Sequence, residues 1–317
     1  MSLRSLLVGA ASLALLAASS LSATAADLKE FNVGFQKNGV LVVARNQQLI
    51  EKALADEGIT VNWVEFQAGP PLLEAMNVGS IDFGTTGDSP IIFAQAAGAN
   101  VVYAAALPSK GRNSAILVAK DSPIQSVAEL KCKKLAFTKG SSAHNVAVAA
   151  LEQAGLTYGD IEPVYLSPAD AGAAFSTGSV EAWSIWDPFY AGAEINYGAR
   201  VLAAGPEILG KTNSFFLANG SFAKEHPDVL KQAIAALGEA GEWANTHKDG
   251  VAQALTDATG VPIEIQKLTA ERGEFTVTPV TDDIIATQQD VADRFAKLGL
   301  IPAPIAVKDI VWTAPQS

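Results

Sequence analysis

The sequence predicts an α/β protein built as two lobes, with a ligand cleft between the lobes. Three observations carry that expectation. Short apolar β runs alternate with helical patterns along most of the chain, which favours layered sheets of largely parallel strands. The alternation comes as two series, the second opening at "AILVAKDSPIQSVAELK". Beyond Asn219 the pattern turns strongly helical, so the C-terminal part is expected to rejoin the first lobe. Ligands of such sheets bind beyond the carboxyl ends of the strands, and a two-lobe protein gathers those ends in its cleft.

In the first series, "EFNVGF" (30–35) and "VNWVEF" (61–66) read as strands around a helical pattern over 43–57 that Gly58 ends. "PPLLEAMNVG" (70–79) is helical, with proline suited to the first turn and Leu72, Leu73 and Met76 as its apolar stripe. "IDFGTT" (81–86), "IIFAQAAGA" (91–99) and "VVYAAAL" (101–107) continue as strand, helix and strand. In the second series, strands at 133–138, 161–166 and 181–186 alternate with helices at 143–154 and 169–177. Strands "RVLAAG" (200–205) and "NSFFLAN" (213–219) precede the helical return. Crossings between lobes are expected near Ile116–Val118 and Phe216–Asn219, giving lobe I as 26–116 with 218–317 and lobe II as 117–217.

Residues 1–25 read differently. Arg4, the apolar run "LLVGAASLALLAASSL" and the small residues of "SATAAD" have the pattern of a secretory signal peptide cleaved after Ala25 or Ala26. The expectation is a soluble, exported chain in the periplasm. Cys132 is the one cysteine, so no internal disulfide forms, and it reads as a passive thiol in a turn. Loss of the leader moves the net charge from −11 to −12, which disfavours nucleic acid and anionic membranes as partners. The simplest oligomeric state for such a chain is a monomer.

An anion bound by so acidic a protein must be held by local dipoles. Four junctions from strand to helix supply them: "GFQKNG" (34–39), "FQAGPP" (66–71), "GTTGDSP" (84–90) and "FTKGSSAHN" (137–145). Each would aim the unpaired N–H groups of a helix start at the cleft, which is an anion site in the making. Ser89, Ser141 and Ser142 add hydroxyls, and Gly140 lets the chain turn. Asp88 sits badly beside an anion; it either caps its helix, orients neighbouring N–H groups or receives a ligand amine or hydroxyl. In "SIWDPFY" (184–190), Trp186 and Asp187 are either core or a cleft wall, with the indole packing on an apolar tail. Lys37 and Arg112 are the nearest loop cations. Enzyme signatures are missing: no G-x-S-x-G, no H-E-x-x-H, no P-loop, no G-x-G-x-x-G and no Cys/His cluster for a metal. Of the histidines, only His144 lies near the expected cleft, and no acid is in place to orient it. Neither a cofactor nor a metal is expected.

The stretches "VGFQKNGVLVVAR", "VEFQAGPPLLEAMNVGSIDFGTTGDSPIIFAQAAGANVVY", "KGSSAHNVAVAALEQAGL" and "GSVEAWSIWDPFYAGAE" resemble the periplasmic aliphatic sulfonate-binding proteins of ABC transporters, within the wider sulfonate/taurine/nitrate group. The resemblance spans nearly all of the chain after the leader. It implies the type II periplasmic binding fold, capture of alkanesulfonates for sulfur uptake, and delivery to a membrane permease with its ATPase. It also implies a sulfonate cradle on Gln36, Gly87, Asp88, Ser89, Gly140, Ser141, Ser142 and His144, with Trp186 and Asp187 on the other wall. Taurine, nitrate or another oxyanion is the alternative cargo, and an enzyme on the same scaffold the more distant one. Relatives usually carry glycine where this chain has Cys132. Lys110 and Arg112, in a loop where the resemblance leads one to expect acids, shift the expected ligand toward a more anionic or larger one.

Overall fold

The computed structural model describes residues 28–315. The expected leader over 1–25 lies outside the described residues. In chain order the first section forms β1 (Glu30–Phe35), α1 (Val40–Asn46), α2 (Leu49–Ala53), β2 (Thr60–Glu65), α3 (Gly69–Asn77), β3 (Phe83–Thr86), α4 (Asp88–Ala96) and β4 (Val101–Ser109). The second forms β5 (Ser114–Val118), β6 (Lys134–Phe137), α5 (Ser142–Gln153), β7 (Glu162–Tyr165), α6 (Pro168–Ser176), β8 (Ala182–Trp186), α7 (Phe189–Tyr197), β9 (Arg200–Ala204) and α8 (Gly205–Leu209). The return comprises β10 (Thr212–Asn219), α9 (Gly220–Glu225), α10 (Pro227–Thr246), α11 (Lys248–Thr259), α12 (Ile263–Arg272) and α13 (Asp282–Lys297).

Two five-stranded sheets result, ordered β2-β1-β3-β10-β4 and β7-β6-β8-β5-β9. Within the first, β1 runs parallel to β2 and β3, while β10 is antiparallel to β3 and β4. In the second, β6 runs parallel to β7 and β8, and β5 is antiparallel to β8 and β9. The two antiparallel strands share one origin. Each has just arrived from the other lobe, so it starts at the cleft and runs away from it, whereas its neighbours end there.

The first sheet is buried on both faces. Alternation along β10 sends Phe216 and Ala218 toward the core beneath α1, α10 and α11, and Phe215 and Leu217 toward the one beneath α3, α4 and α13. Phe83 stacks between Phe31 at 6.0 Å and Phe216 at 6.2 Å, and Phe222 of α9 closes on Phe31 at 5.2 Å. Each fully buried phenyl ring of this kind contributes roughly 1.5–3 kcal/mol. The second lobe has a core of its own around Leu135, Phe137, Trp183 and Ile185, covered by α5, α6 and α7. Val148 of α5 nevertheless packs into the first lobe's core, so the lobes meet through buried apolar side chains.

Two features differ from the sequence expectation. The helical pattern over 43–57 is broken, because Gln48 adopts φ 54°, in the left-handed region, and separates α1 from α2. The chain crosses between sheets at 110–113 and, after α8 has packed on the second lobe, at 210–211, ahead of Ile116–Val118 and Phe216–Asn219. Those apolar runs are interior strand, fully or almost fully buried, and the connections are the polar residues before them.

Candidate functional site

All four strand-to-helix junctions open on one cleft between the sheets. Its lining takes Gln36, Asn38 and Gly39 from the first junction, Gly69 from the second, Thr85 to Asp88 from the third, and Ser141 and Ser142 from the fourth. The starts of α4 and α5, one in each lobe, lie against each other. A Cβ on Gly87 would come within 2.8 Å of the Ser142 Cβ, so only glycine allows this approach. Neither helix start takes a side-chain cap, and the Ser141 hydroxyl instead donates to the Thr138 carbonyl at 2.8 Å. The Asp88 carboxylate takes the Ser89 N–H, and the remaining free N–H groups of the two helix starts, with two positive dipole ends, thus face the same space. Gly140, at φ 73°, makes the turn that aims α5 and lies against the Phe93 ring.

Asp88 braces this arrangement. Its carboxylate is buried; Oδ1 accepts from the Ser89 hydroxyl at 2.8 Å, and Oδ2 accepts from Asn145 Nδ2 at 2.7 Å and Thr212 Oγ1 at 3.2 Å. Burial raises its pKa and these hydrogen bonds oppose the rise. The side chain therefore joins α4, α5 and β10. Ser89 has spent its hydroxyl on Asp88, is fully buried and does not line the cleft.

The lining also has an apolar part, to which both lobes contribute. Trp186, at the end of β8, and Leu209 come from the second lobe, and Val40, Phe216, Leu255 and Phe275 from the first. Phe189 meets Trp186 edge-on at 6.4 Å and fixes the indole plane. Next along the chain, Asp187 lines the cleft but is fully buried. Its Oδ1 accepts from the Ala191 N–H at 2.9 Å and from Arg272 at 3.2 Å, while Oδ2 has no partner among the described residues. Desolvation pushes its pKa up to about 7 against the pull of Arg272. Among the described residues lining the cleft there is no lysine, arginine or histidine.

The NMT1/THI5-like family model matches residues 54–250. A curated Escherichia coli (strain K12) protein named for binding aliphatic sulfonates is 43% identical, over 90% of this chain and 89% of its own length. The chain belongs to the aliphatic sulfonate-binding proteins. A solved structure of this family, the periplasmic aliphatic sulphonate binding protein SsuA from Escherichia coli, has a TM-score of 0.81 and 41% identity over 91% of this chain and 94% of its own. A second, the alkanesulfonate-binding protein SsuA from Xanthomonas axonopodis pv. citri bound to MOPS, has a TM-score of 0.85 and 40% identity over 89% and 98% of the two chains.

Against the sites expected of an aliphatic sulfonate-binding protein, the structure gathers Gln36, Gly87, Asp88, Ser141, Ser142, Trp186 and Asp187 along one lining. Gln36 donates to the Thr85 carbonyl at 3.1 Å, tying the first junction to the third. His144 is elsewhere. Fully buried behind the cleft, it stacks between Phe137 at 4.9 Å and Phe93 at 6.0 Å, and its Nδ1 accepts from the Gly140 N–H at 3.2 Å. Burial, with Lys139 nearby, lowers its pKa to about 4, so a neutral ring props up the turn. Gly140 lies beside the lining and not in it. Lys37 turns away to pair with Glu65 at 3.6 Å, and neither it nor Arg112 lines the cleft. Cys132 is an exposed thiol at φ 59°, a conformation that favours glycine, the residue the resemblance leads one to expect there.

Several lining residues escaped the sequence reading. Ser109, Asn113 and Ser114 come from one lobe crossing and Thr212, Asn213 and Ser214 from the other, because the connections pass along the cleft floor. The polar clusters "GRNS" and "KTNS" beside apolar strands were the available signal. Thr269 and Glu274, contributed by the helical return, carried none.

Proposed function

We propose that this chain captures alkanesulfonates, R–SO₃⁻, in the cleft between its lobes and delivers them to an ABC permease with its ATPase. The observation that carries the reading is the pair of uncapped helix starts, from opposite lobes, abutting in a cleft without a lining cation. A sulfonate stays ionised and accepts hydrogen bonds without donating any, so a cradle of N–H and O–H donors satisfies all three of its oxygens. Nitrate meets the cradle equally but leaves the Trp186 wall empty; an alkyl tail fills that wall and gains roughly 0.8 kcal/mol for each methylene buried. The MOPS carried by a relative, itself a sulfonate, supports the same class.

In this reading Gln36, Gly87, Ser141 and Ser142 form the cradle, Trp186 and Asp187 the facing wall, and Asp88, Ser89, Gly140 and His144 hold the cradle in shape. The lobes are each sheet with its covering helices, joined by 110–113 and 210–211. The periplasm is the matching compartment: a solved relative is periplasmic, and no helix among the described residues is long and apolar enough to cross a membrane. Because the ligand touches both lobes, it binds the closed form better than the open one, and the permease can read that difference.

Ser142→Asp tests the cradle. A carboxylate at the first turn of α5 favours the helix dipole but has little room beside Gly87, so circular dichroism must show a native fold before affinity is read. The same charge repels a bound anion, and affinity for octanesulfonate in calorimetric titration should fall at least about a hundredfold. Wild-type affinity in this variant would remove the helix starts from the site.

A further inference from the structure

We propose that Arg272 is the closure latch of the cleft, a positioning residue that touches no ligand and holds the two lobes together around it. The proposal rests on the reading of the chain as an anion receptor that closes on its cargo. Arg272 is the last residue of α12, in the return segment, and its near neighbours Ala270 and Phe275 are buried in the first lobe's core. Its guanidinium finds its partners in the other lobe. Nη1 lies 3.2 Å from Asp187 Oδ1, Nη2 lies 2.5 Å from Glu194 Oε2, and the guanidinium carbon sits 3.9 Å over the Tyr190 ring.

The three partners belong to one unit, the turn leaving β8 and the α7 helix it opens. That unit also carries the wall residue Trp186, so whatever pins α7 pins the wall. Asn38, from the first junction, donates to the Asp187 carbonyl and makes a second tie across the cleft mouth. Only a planar fork reaches two carboxylates and a ring face at once, and a lysine cannot reproduce it. Arg272 itself lies outside the lining and reaches the cleft only through Asp187, so it acts chiefly on opening. Capture from the open form precedes latching. Loss of the latch therefore speeds release and leaves the on-rate alone.

Stopped-flow tryptophan fluorescence with octanesulfonate, on wild type, Arg272→Gln and Glu194→Gln, tests this, with small-angle scattering on the saturated proteins. Arg272→Gln should raise koff about tenfold or more with kon within about twofold, and Glu194→Gln should raise koff about threefold. Saturated Arg272→Gln should also show a larger radius of gyration than saturated wild type. Should Arg272→Gln fail to fold, Glu194→Gln decides by the same criterion. Unchanged koff, or a loss of affinity carried by kon, overturns the latch alone. A wild-type protein that binds no sulfonate overturns the functional reading and the latch with it.

Discussion

Asp187 places a carboxylate in the wall of a cleft built for an anion, and its surroundings reduce the conflict. Arg272 offsets part of its charge, and burial pushes its pKa to about 7, with Glu194 and Tyr190 of α7 facing it as well. The folded-state value lies above the unfolded value of 3.8, so between the two the folded protein binds more protons than the unfolded chain. The contribution of Asp187 to stability is therefore complete below about pH 4 and is lost as pH rises through about 7. A bound sulfonate raises that pKa further, so binding takes up protons. Affinity should weaken about three- to tenfold between pH 5.5 and 8.5, and Asp187→Asn should flatten the profile. Titrations across that range check it; a flat wild-type profile contradicts it. His144 adds no slope there, because its ring stays neutral down to about pH 4. Its misplacement from sequence has a simple cause. Two steps along a helix turn the side chain by about 200°, so Ser142 faces the cleft and His144 its back, while Val146 returns to the front.

At the scale of elements, one polar chain ties α4, α5 and α13 across the lobes. Asn145 donates to Asp88 and accepts from Arg294 Nη1 at 2.8 Å, and Arg294 Nε reaches Glu152 at 3.0 Å. Gln288 of α13 donates to the Asp88 carbonyl at 2.6 Å from below. Beside this chain, Phe93 and Phe295 from the first lobe pack on His144 from the second, with centroids at 6.0 and 5.4 Å. Asn145→Ala would leave a buried carboxylate one donor short and take the acceptor from Arg294 Nη1, costing about 1–3 kcal/mol of stability. Differential scanning calorimetry should record a drop of several degrees, while an unchanged melting point would remove the brace. The helix starts were legible because Gly87, Ser141 and Ser142 stand at strand-to-helix turns. The brace was not. Asn145, Gln288 and Arg294 occur in ordinary helical patterns, and only packing between distant segments brings them to Asp88.

Across the whole molecule, strand alternation made the two lobes and the late return legible, since period and punctuation are local properties. The crossings fell short of their expected places because apolar runs such as "AILV" and "SFFLA" fill sheet interiors, while polar connectors span the cleft. The same geometry explains why Ser114 and Thr212 entered the lining unforeseen: a crossing strand begins at the cleft, so its first residues become the floor. Ligand and closure are thereby joined, because every wall of the site is anchored in one sheet or the other.

The most direct test of the account is calorimetric titration of the wild-type chain with methanesulfonate through octanesulfonate, alongside taurine, nitrate and sulfate. Micromolar or tighter binding of alkanesulfonates, strengthening with tail length and exceeding that of nitrate and sulfate, is the predicted result. Tighter binding of nitrate or sulfate, or affinity that ignores the tail, would contradict it.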